Sequence, residues 1–357
     1  MDLVMDLGRN EDMNKHGGYH GKRDVMDYSV NINPLGLPET IRETMIASID
    51  DMVKYPDISG AGARKAIAEY EGIDPRSLIM GNGASELIYL FARAVKPKKV
   101  LIIQPTFNEY ERAFRLAGSQ IEAFELSVNS GFQIDIQAFE KALEGYQPDV
   151  VVLCNPNNPT GQYIPLTELE ACVNLIEHYR SFLFLDESFI EFTGQPSIIK
   201  HMACERVFSL RSMTKYYAVP GLRIGYGVSH DGVIQQLEAY KEPWTMNGLA
   251  LQVVPAMIHD DVFHKQVRQW MVTEHPRMYQ ALSAIQKLDV IHSRTNFFLC
   301  QLQDMSGYEL NVKLESKGAH VRVCDDFTGL GERYIRIALR LQEDNVRLVK
   351  WLQEVLY

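Results

Sequence analysis

The chain is short of cysteine, of basic charge and of long apolar runs, and each shortage removes a class of function. Its 357 residues include only five cysteines, Cys154, Cys172, Cys204, Cys300 and Cys324. They are odd in number, scattered and without CxxC spacing, which suggests neither a disulfide framework nor a zinc site and reads instead as small buried apolar residues. The ten histidines show no ligand spacing either, so no metal is expected. Lys and Arg total 36 against 46 Asp and Glu, and a net charge of -10 argues against nucleic acid or an anionic membrane as partner. An anionic small molecule must then be met by a local cluster of arginines. No stretch is apolar for long enough to span a bilayer, and the N-terminal MDLVMDLGRNEDMNK is acidic without a sustained apolar core, so the cytoplasm is the expected compartment. Internal repeats and low-complexity linkers are missing as well.

What is present concentrates in four segments. Residues 212–226 read SMTKYYAVPGLRIGY. The amine of Lys215 can form a Schiff base with an aldehyde, while Ser212, Thr214 and Arg223 supply the donors that a phosphate dianion needs, a combination suited to pyridoxal phosphate. In SFLFLDESF, residues 181–189, the apolar run Phe182 to Leu185 predicts a buried parallel strand with Asp186 at its carboxyl end, where ligands bind in open α/β sheets. A carboxylate there can pair with a protonated pyridine nitrogen. The strand predicted at Val150 to Leu153 leads into CNPNNPTG, whose Asn158 can donate to a ring oxygen. GNGASE, residues 81–86, precedes a helical pattern and allows the amides of Ala84 and Ser85 to approach a phosphate at a helix N-terminus. It is neither a dinucleotide motif, since Glu86 stands where the third glycine is required, nor a Walker loop. Taken singly, each residue has an ordinary alternative: a solvated lysine, a capping aspartate, a turn asparagine, a loop glycine.

Taken together, the four segments resemble the fold-type I pyridoxal-phosphate enzymes, the aspartate aminotransferase superfamily of class I and II aminotransferases, over nearly the whole chain. The resemblance implies an α/β architecture: a large doubly wound cofactor domain with a mostly parallel sheet over residues 40–245, and a smaller α+β domain from residues 1–39 with 246–357. The alternation of helical and strand patterns from Arg64 to Ala239 agrees, as do the long helical periodicity from residue 243 to Leu288, short strands near Phe297 to Gln301, His320 to Val323 and Tyr334 to Ala338, and a closing amphipathic helix from Gln342 to Val355. By matching motif, Lys215 would be the Schiff-base lysine, Asp186 the pyridine-nitrogen partner and Asn158 the ring-oxygen donor. Ala84, Ser85, Ser212, Thr214 and Arg223 would hold the phosphate, and Phe107 would stack on the ring. Tyr55 matches a tyrosine that reaches the neighbouring subunit's cofactor, which implies a homodimer with shared active sites. Phe189 stands where many relatives carry tyrosine, so one hydrogen bond to the ring oxygen is missing.

Arg336 matches the arginine that grips the substrate's α-carboxylate in this superfamily, a fork suited to bidentate contact. Arg322 on the preceding strand and Arg340 four residues beyond suggest a substrate with two anionic groups, although Arg340 is also suited to a structural pairing. HGGYHG at 16–21 and DYSVNINPLGLP at 27–38 look most like the threonine-phosphate decarboxylases of cobalamin biosynthesis, with the histidinol-phosphate aminotransferases next. On that resemblance His16 would approach a substrate anion and Asn33 would line the site, although Tyr19 follows the HGG where a small polar residue is usual. SMTK also satisfies the S-x-x-K pattern of acyl-transfer enzymes, but neither S-D-N nor K-T-G occurs. A silent binding protein on the same fold is the other alternative, and it would have no need of Lys215, Asp186, Asn158 and Arg223 together.

Overall fold

A computed structural model describes residues 17–21, 24–201 and 205–357 of the chain. After a short strand β1 (Met26–Asp27), seven strands form the main sheet: β2 (Leu78–Asn82), β3 (Lys99–Gln104), β4 (Gln120–Glu125), β5 (Val150–Cys154), β6 (Phe182–Asp186), β7 (Val207–Ser212) and β8 (Ile224–Val228). Their order is β2-β8-β7-β6-β5-β3-β4. Strand β8 is antiparallel to both of its neighbours, and the other pairs are parallel.

The continuous apolar runs follow from burial on both faces. Successive side chains of a strand point to opposite sides, so Val150, Val152 and Phe184 join Phe91, Phe114 and Phe208 in one apolar layer. Val151, Leu153, Leu183 and Leu185 join Phe139, Leu169 and Val173 in the other.

This topology brings distant residues to one edge. Cys154, Asp186 and Leu210 share a row at the carboxyl ends of β5, β6 and β7. Because β8 runs the other way, its first residues meet the ends of its neighbours, with Ser212 opposite Gly225 and Asn82 opposite Ile224. Arg223, immediately before β8, therefore arrives beside Ser212 although it lies eleven positions further along the chain.

Strands β9 (Leu288–Val290), β10 (Phe297–Leu302), β11 (Ala319–His320), β12 (Arg322–Val323) and β13 (Tyr334–Ala338) follow. A second, antiparallel sheet has the order β12-β13-β10-β9, and β11 pairs in parallel with β1. The single strand expected at His320 to Val323 is thus two, in different sheets. Val321 lies between them with its N–H donated to the Asn311 side chain at 2.9 Å rather than to a strand. The long helical pattern likewise resolves into two helices, Gly248–Ile258 and Asp261–Ser283. The second starts where the Asp260 side chain accepts the Phe263 N–H at 2.9 Å, an N-cap that ends any continuation from the first. One apolar core runs from Ile67 and Leu78 through Val253 and Val254 to Leu310 and Leu348, joining the main sheet's flank to the C-terminal elements.

Candidate active site

A cavity of about 330 Å³ opens at the carboxyl ends of β5, β6 and β7, walled on the far side by β12 and β13. Lys215 lies on the short helix Met213–Tyr216 that follows β7. Its Nζ donates to Ser212 Oγ at 3.1 Å, and Ser212 Oγ lies 3.0 Å from Thr214 Oγ1. Burial lowers the pKa of this amine below the usual lysine range; Asp186 pulls in the opposite direction, and the Arg223 and Arg336 charges add to the depression. A neutral amine is the nucleophilic form.

Asp186 is 4% exposed at the end of β6. Its Oδ2 accepts the Tyr110 hydroxyl at 2.7 Å and its Oδ1 accepts the Ser188 N–H at 2.7 Å, so the carboxylate is fixed from both sides. Tyr110 also lines the cavity and was not singled out from the sequence. It lies 76 positions from Asp186, and no local pattern announces the pairing.

The helix Gly83–Val95 begins beside these strands, which places Ala84 and Ser85 in its first turn. Two glycines make the approach possible. Gly83 has φ +78°, and a Cβ there would stand 2.6 Å from Arg223 Nη2. A Cβ on Gly225 would meet the backbone nitrogen of Ala84 at 2.6 Å and the carbonyl oxygen of Arg211 at 2.9 Å. Arg223 itself sits in the left-handed region at φ 55°. A helix N-terminus, two hydroxyls and a guanidinium converging within reach of a buried amine are the donor set that a phosphate-bearing aldehyde requires.

The remaining wall holds Phe107, edge-on to Tyr110 with centroids 5.7 Å apart, and Phe189, whose ring centroid lies 5.5 Å from Lys215 Nζ. Asn158 Oδ1 accepts from Arg336 Nη1, and Arg336 Nη2 donates to the Ser29 carbonyl at 2.7 Å. Burial pulls the Arg336 pKa down to about 10. Arg322 donates to Asp326 Oδ2 at 2.6 Å and to the Val323 carbonyl at 2.7 Å. Three guanidiniums, Arg223, Arg322 and Arg336, and the amine of Lys215 thus line the cavity against two carboxylates, Asp186 and Asp326, in a chain whose net charge is -10. Burial pushes the Cys154 thiol in the same wall up to about 12, which keeps it protonated.

Two expected site residues, Asn33 and Arg340, stand elsewhere; Tyr55 is expected at the neighbouring subunit's cofactor and not in this cavity, and a fourth lies outside the described residues. Asn33 does not line the cavity. Its side chain donates to the Tyr216 carbonyl at 2.8 Å and accepts from the Leu35 N–H, while its own N–H donates to the Lys215 carbonyl at 3.0 Å, so it braces the lysine's backbone instead. Arg340 also stands outside the cavity, donating to the Asp27 carbonyl at 3.2 Å and facing Asp344, the structural pairing its position allowed. Tyr55 is 84% exposed in a surface groove, against the ring of Trp244. His16 is the one outside the described residues.

The model of the family "Aminotransferase class I and II" matches residues 23–350. A chain provisionally named as a threonine-phosphate decarboxylase from Caldanaerobacter subterraneus subsp. tengcongensis is 38% identical over 95% of this chain and 93% of its own length. The threonine-phosphate decarboxylase of Salmonella typhimurium is 33% identical over 93% of this chain and 91% of its own. Among solved structures, the histidinol-phosphate aminotransferase from Clostridium acetobutylicum superposes with a TM-score of 0.86 at 30% identity, covering 92% of this chain and 98% of that one. Phosphate donors around a buried amine, a carboxylate held at the end of the neighbouring strand and these likenesses agree: the chain belongs to the class I and II aminotransferases, fold-type I enzymes whose cofactor is pyridoxal phosphate.

Proposed function

We propose that this enzyme decarboxylates an O-phosphorylated amino acid, L-threonine O-3-phosphate giving (R)-1-aminopropan-2-ol O-phosphate and carbon dioxide, as a step of cobalamin biosynthesis in the cytoplasm. The observation that carries this reading is the pair Arg322 and Arg336, Cα partners on adjacent antiparallel strands that both line the cavity. Two guanidiniums so placed suit a small substrate with two anions, one carboxylate and one phosphate. The similarity to two threonine-phosphate decarboxylases over more than nine-tenths of the chain supports the same class.

When bound, pyridoxal phosphate supplies an electron sink for the bond broken at the substrate's Cα. Asp186, fixed by Tyr110 and Ser188, would hold the proton on the cofactor's pyridine nitrogen. Ser212, Thr214, Arg223 and the first turn of the helix Gly83–Val95 hold the phosphate of the cofactor. The two arginines would bind and orient the substrate, one fixing its phosphate and the other its carboxylate, so that the bond from Cα to the carboxylate is the one presented for cleavage. Lys215, lining the cavity with its amine pKa lowered, would be the group placed to deliver a proton to the substrate's Cα once carbon dioxide has left. An arginine that instead held the carboxylate near the ring plane would expose the Cα hydrogen and favour amino transfer, the reading supported by the likeness to a histidinol-phosphate aminotransferase. Release of carbon dioxide from threonine phosphate by the holoenzyme tests the proposal, and formation of a keto acid would overturn it.

The exposed apolar residues Ile46, Ile49, Met52, Val53, Tyr55, Ile58 and Trp244 favour a homodimer in which this face is covered by a second copy. Tyr55 would then reach the neighbouring cofactor.

A further inference from the structure

We propose that Asp326 is a specificity-determining residue: it requires the group bound beside Arg322 to carry a hydrogen-bond donor, so that a substrate phosphate is taken there as its singly protonated monoanion. The inference rests on the phosphorylated-substrate reading above and adds which ionic form of that substrate is recognised.

The geometry around the two arginines is unequal. Arg322 Nη2 donates to Asp326 Oδ2 at 2.6 Å, and the Asn108 amide donates to the same oxygen at 2.9 Å and to the Asp326 carbonyl at 2.9 Å. That bridge joins the start of the helix Glu109–Leu116 to the loop after β12 across the cavity wall. The Asp326 side chain is only 3% exposed. Its second oxygen, Oδ1, is buried and has no hydrogen-bond partner among the described residues, although Asp326 lines the cavity. Arg336 differs: it has no carboxylate partner among the described residues, its Nη1 and Nη2 donate to Asn158 Oδ1 and the Ser29 carbonyl, and its buried Nε has no hydrogen-bond partner among them.

A carboxylate accepts and never donates. A fully ionised phosphate beside Arg322 would set its oxygens against Asp326 Oδ1, acceptor facing acceptor and like charge facing like. A phosphate carrying one proton instead donates that proton to Oδ1 while its other oxygens accept from Arg322, and the orphaned Asp326 oxygen is then matched. The carboxylate of the substrate has no such proton to offer near neutral pH, which assigns it to Arg336. The other charged or titratable groups facing Asp326 do not change this. Arg336 and Arg322 are the neighbouring cations, Cys324 is kept neutral by burial with its thiol pushed to about 12, and Asp325 is held by the Tyr308 hydroxyl at 2.6 Å. From the helix side the bridge is the neutral amide of Asn108.

The second ionisation of a phosphate ester lies near pH 6, so the monoanion falls about tenfold per pH unit above it. The experiment measures KM and kcat of the holoenzyme for O-phospho-L-threonine from pH 6 to 8, in the wild type and in Asp326→Asn. It also measures KM for O-sulfo-L-threonine, an isosteric monoanion with no proton to donate. For the wild type, KM for the phosphate ester should rise about tenfold per unit above pH 7 while kcat changes little, and the sulfate ester should bind at least about tenfold more weakly at pH 6, the gap closing toward pH 8. In Asp326→Asn, whose amide can donate, the slope of KM should flatten and the sulfate ester should bind better than to wild type. A wild-type KM that is flat with pH, an equal slope in both proteins, or a sulfate ester bound as well as the phosphate ester at pH 6 overturns the proposal. The sulfate comparison in wild type needs no variant to fold. Should the holoenzyme form keto acid instead of carbon dioxide, the decarboxylase reading fails, and the same KM comparison still decides the role of Asp326.

Discussion

Arg322 and Arg336 face each other on one antiparallel rung, yet only Arg322 has a carboxylate partner among the described residues. Arg336 is 6% exposed, and burial drags its pKa to about 10. A buried guanidinium without a counter-charge is costly until an anion arrives. Arg336→Ala should therefore lower kcat/KM for the phosphorylated amino acid by about 2–5 kcal/mol of transition-state binding, about thirtyfold or more. Arg336→Lys should recover little, because a single ammonium cannot reproduce the fork. Steady-state kinetics of both variants checks this.

Lys215 gives a pH-dependent prediction. Its amine is depressed by burial, so it loses its proton in the folded apoenzyme at lower pH than the 10.5 of a free lysine. Between those two pKa values the unfolded chain binds the extra proton, and stability rises with pH across that window. Thermal unfolding of apoenzyme should show this rise, and Lys215→Met should remove it. Borohydride should trap the cofactor on Lys215 in the wild type and not in Lys215→Met.

The proposed phosphate cradle depends on two positions that admit no side chain, Gly83 and Gly225. Gly225→Ala places a Cβ against the backbone of Ala84 and Arg211, and neither can yield as a flexible side chain does. Strain of about 1–3 kcal/mol is expected at the cradle, which weakens cofactor retention roughly tenfold or more. Dialysis followed by absorbance of the retained cofactor measures it.

Tyr110→Phe removes a 2.7 Å donor from the buried Asp186. An unmatched buried acceptor costs about 1–3 kcal/mol. The variant should keep its fold, lose stability on that scale and show a displaced pH titration of the bound cofactor's absorbance, since the carboxylate proposed to face the pyridine nitrogen is no longer fixed on that side. An unchanged titration would mean that Ser188 alone positions Asp186.

Much of the site was readable because its residues sit at ends of apolar runs. Phe182 to Leu185 and Val150 to Leu153 announce strands by composition, and the residues that follow them, Asp186 and the turn holding Asn158, inherit their place from the sheet. Strand direction is not written in such a run, and the reversal of β8 that delivers Arg223 beside Ser212 is visible only in the structure. Partnerships between distant segments were also hidden. Tyr110 with Asp186, and Asn108 with Asp326 across 218 positions, leave no local periodicity. Asn33 shows the converse: the resemblance of its NINPLG segment implied a role in the pocket, while its amide is spent on the backbone of the lysine segment.

The reaction itself is tested most directly by giving the holoenzyme O-phospho-L-threonine labelled in its carboxyl carbon, in heavy water. The account predicts that the label leaves as carbon dioxide and that the remaining aminopropanol phosphate carries one solvent-derived deuterium on the carbon that lost it. Label retained in a phosphorylated keto acid, with the cofactor recovered as pyridoxamine phosphate, would contradict it.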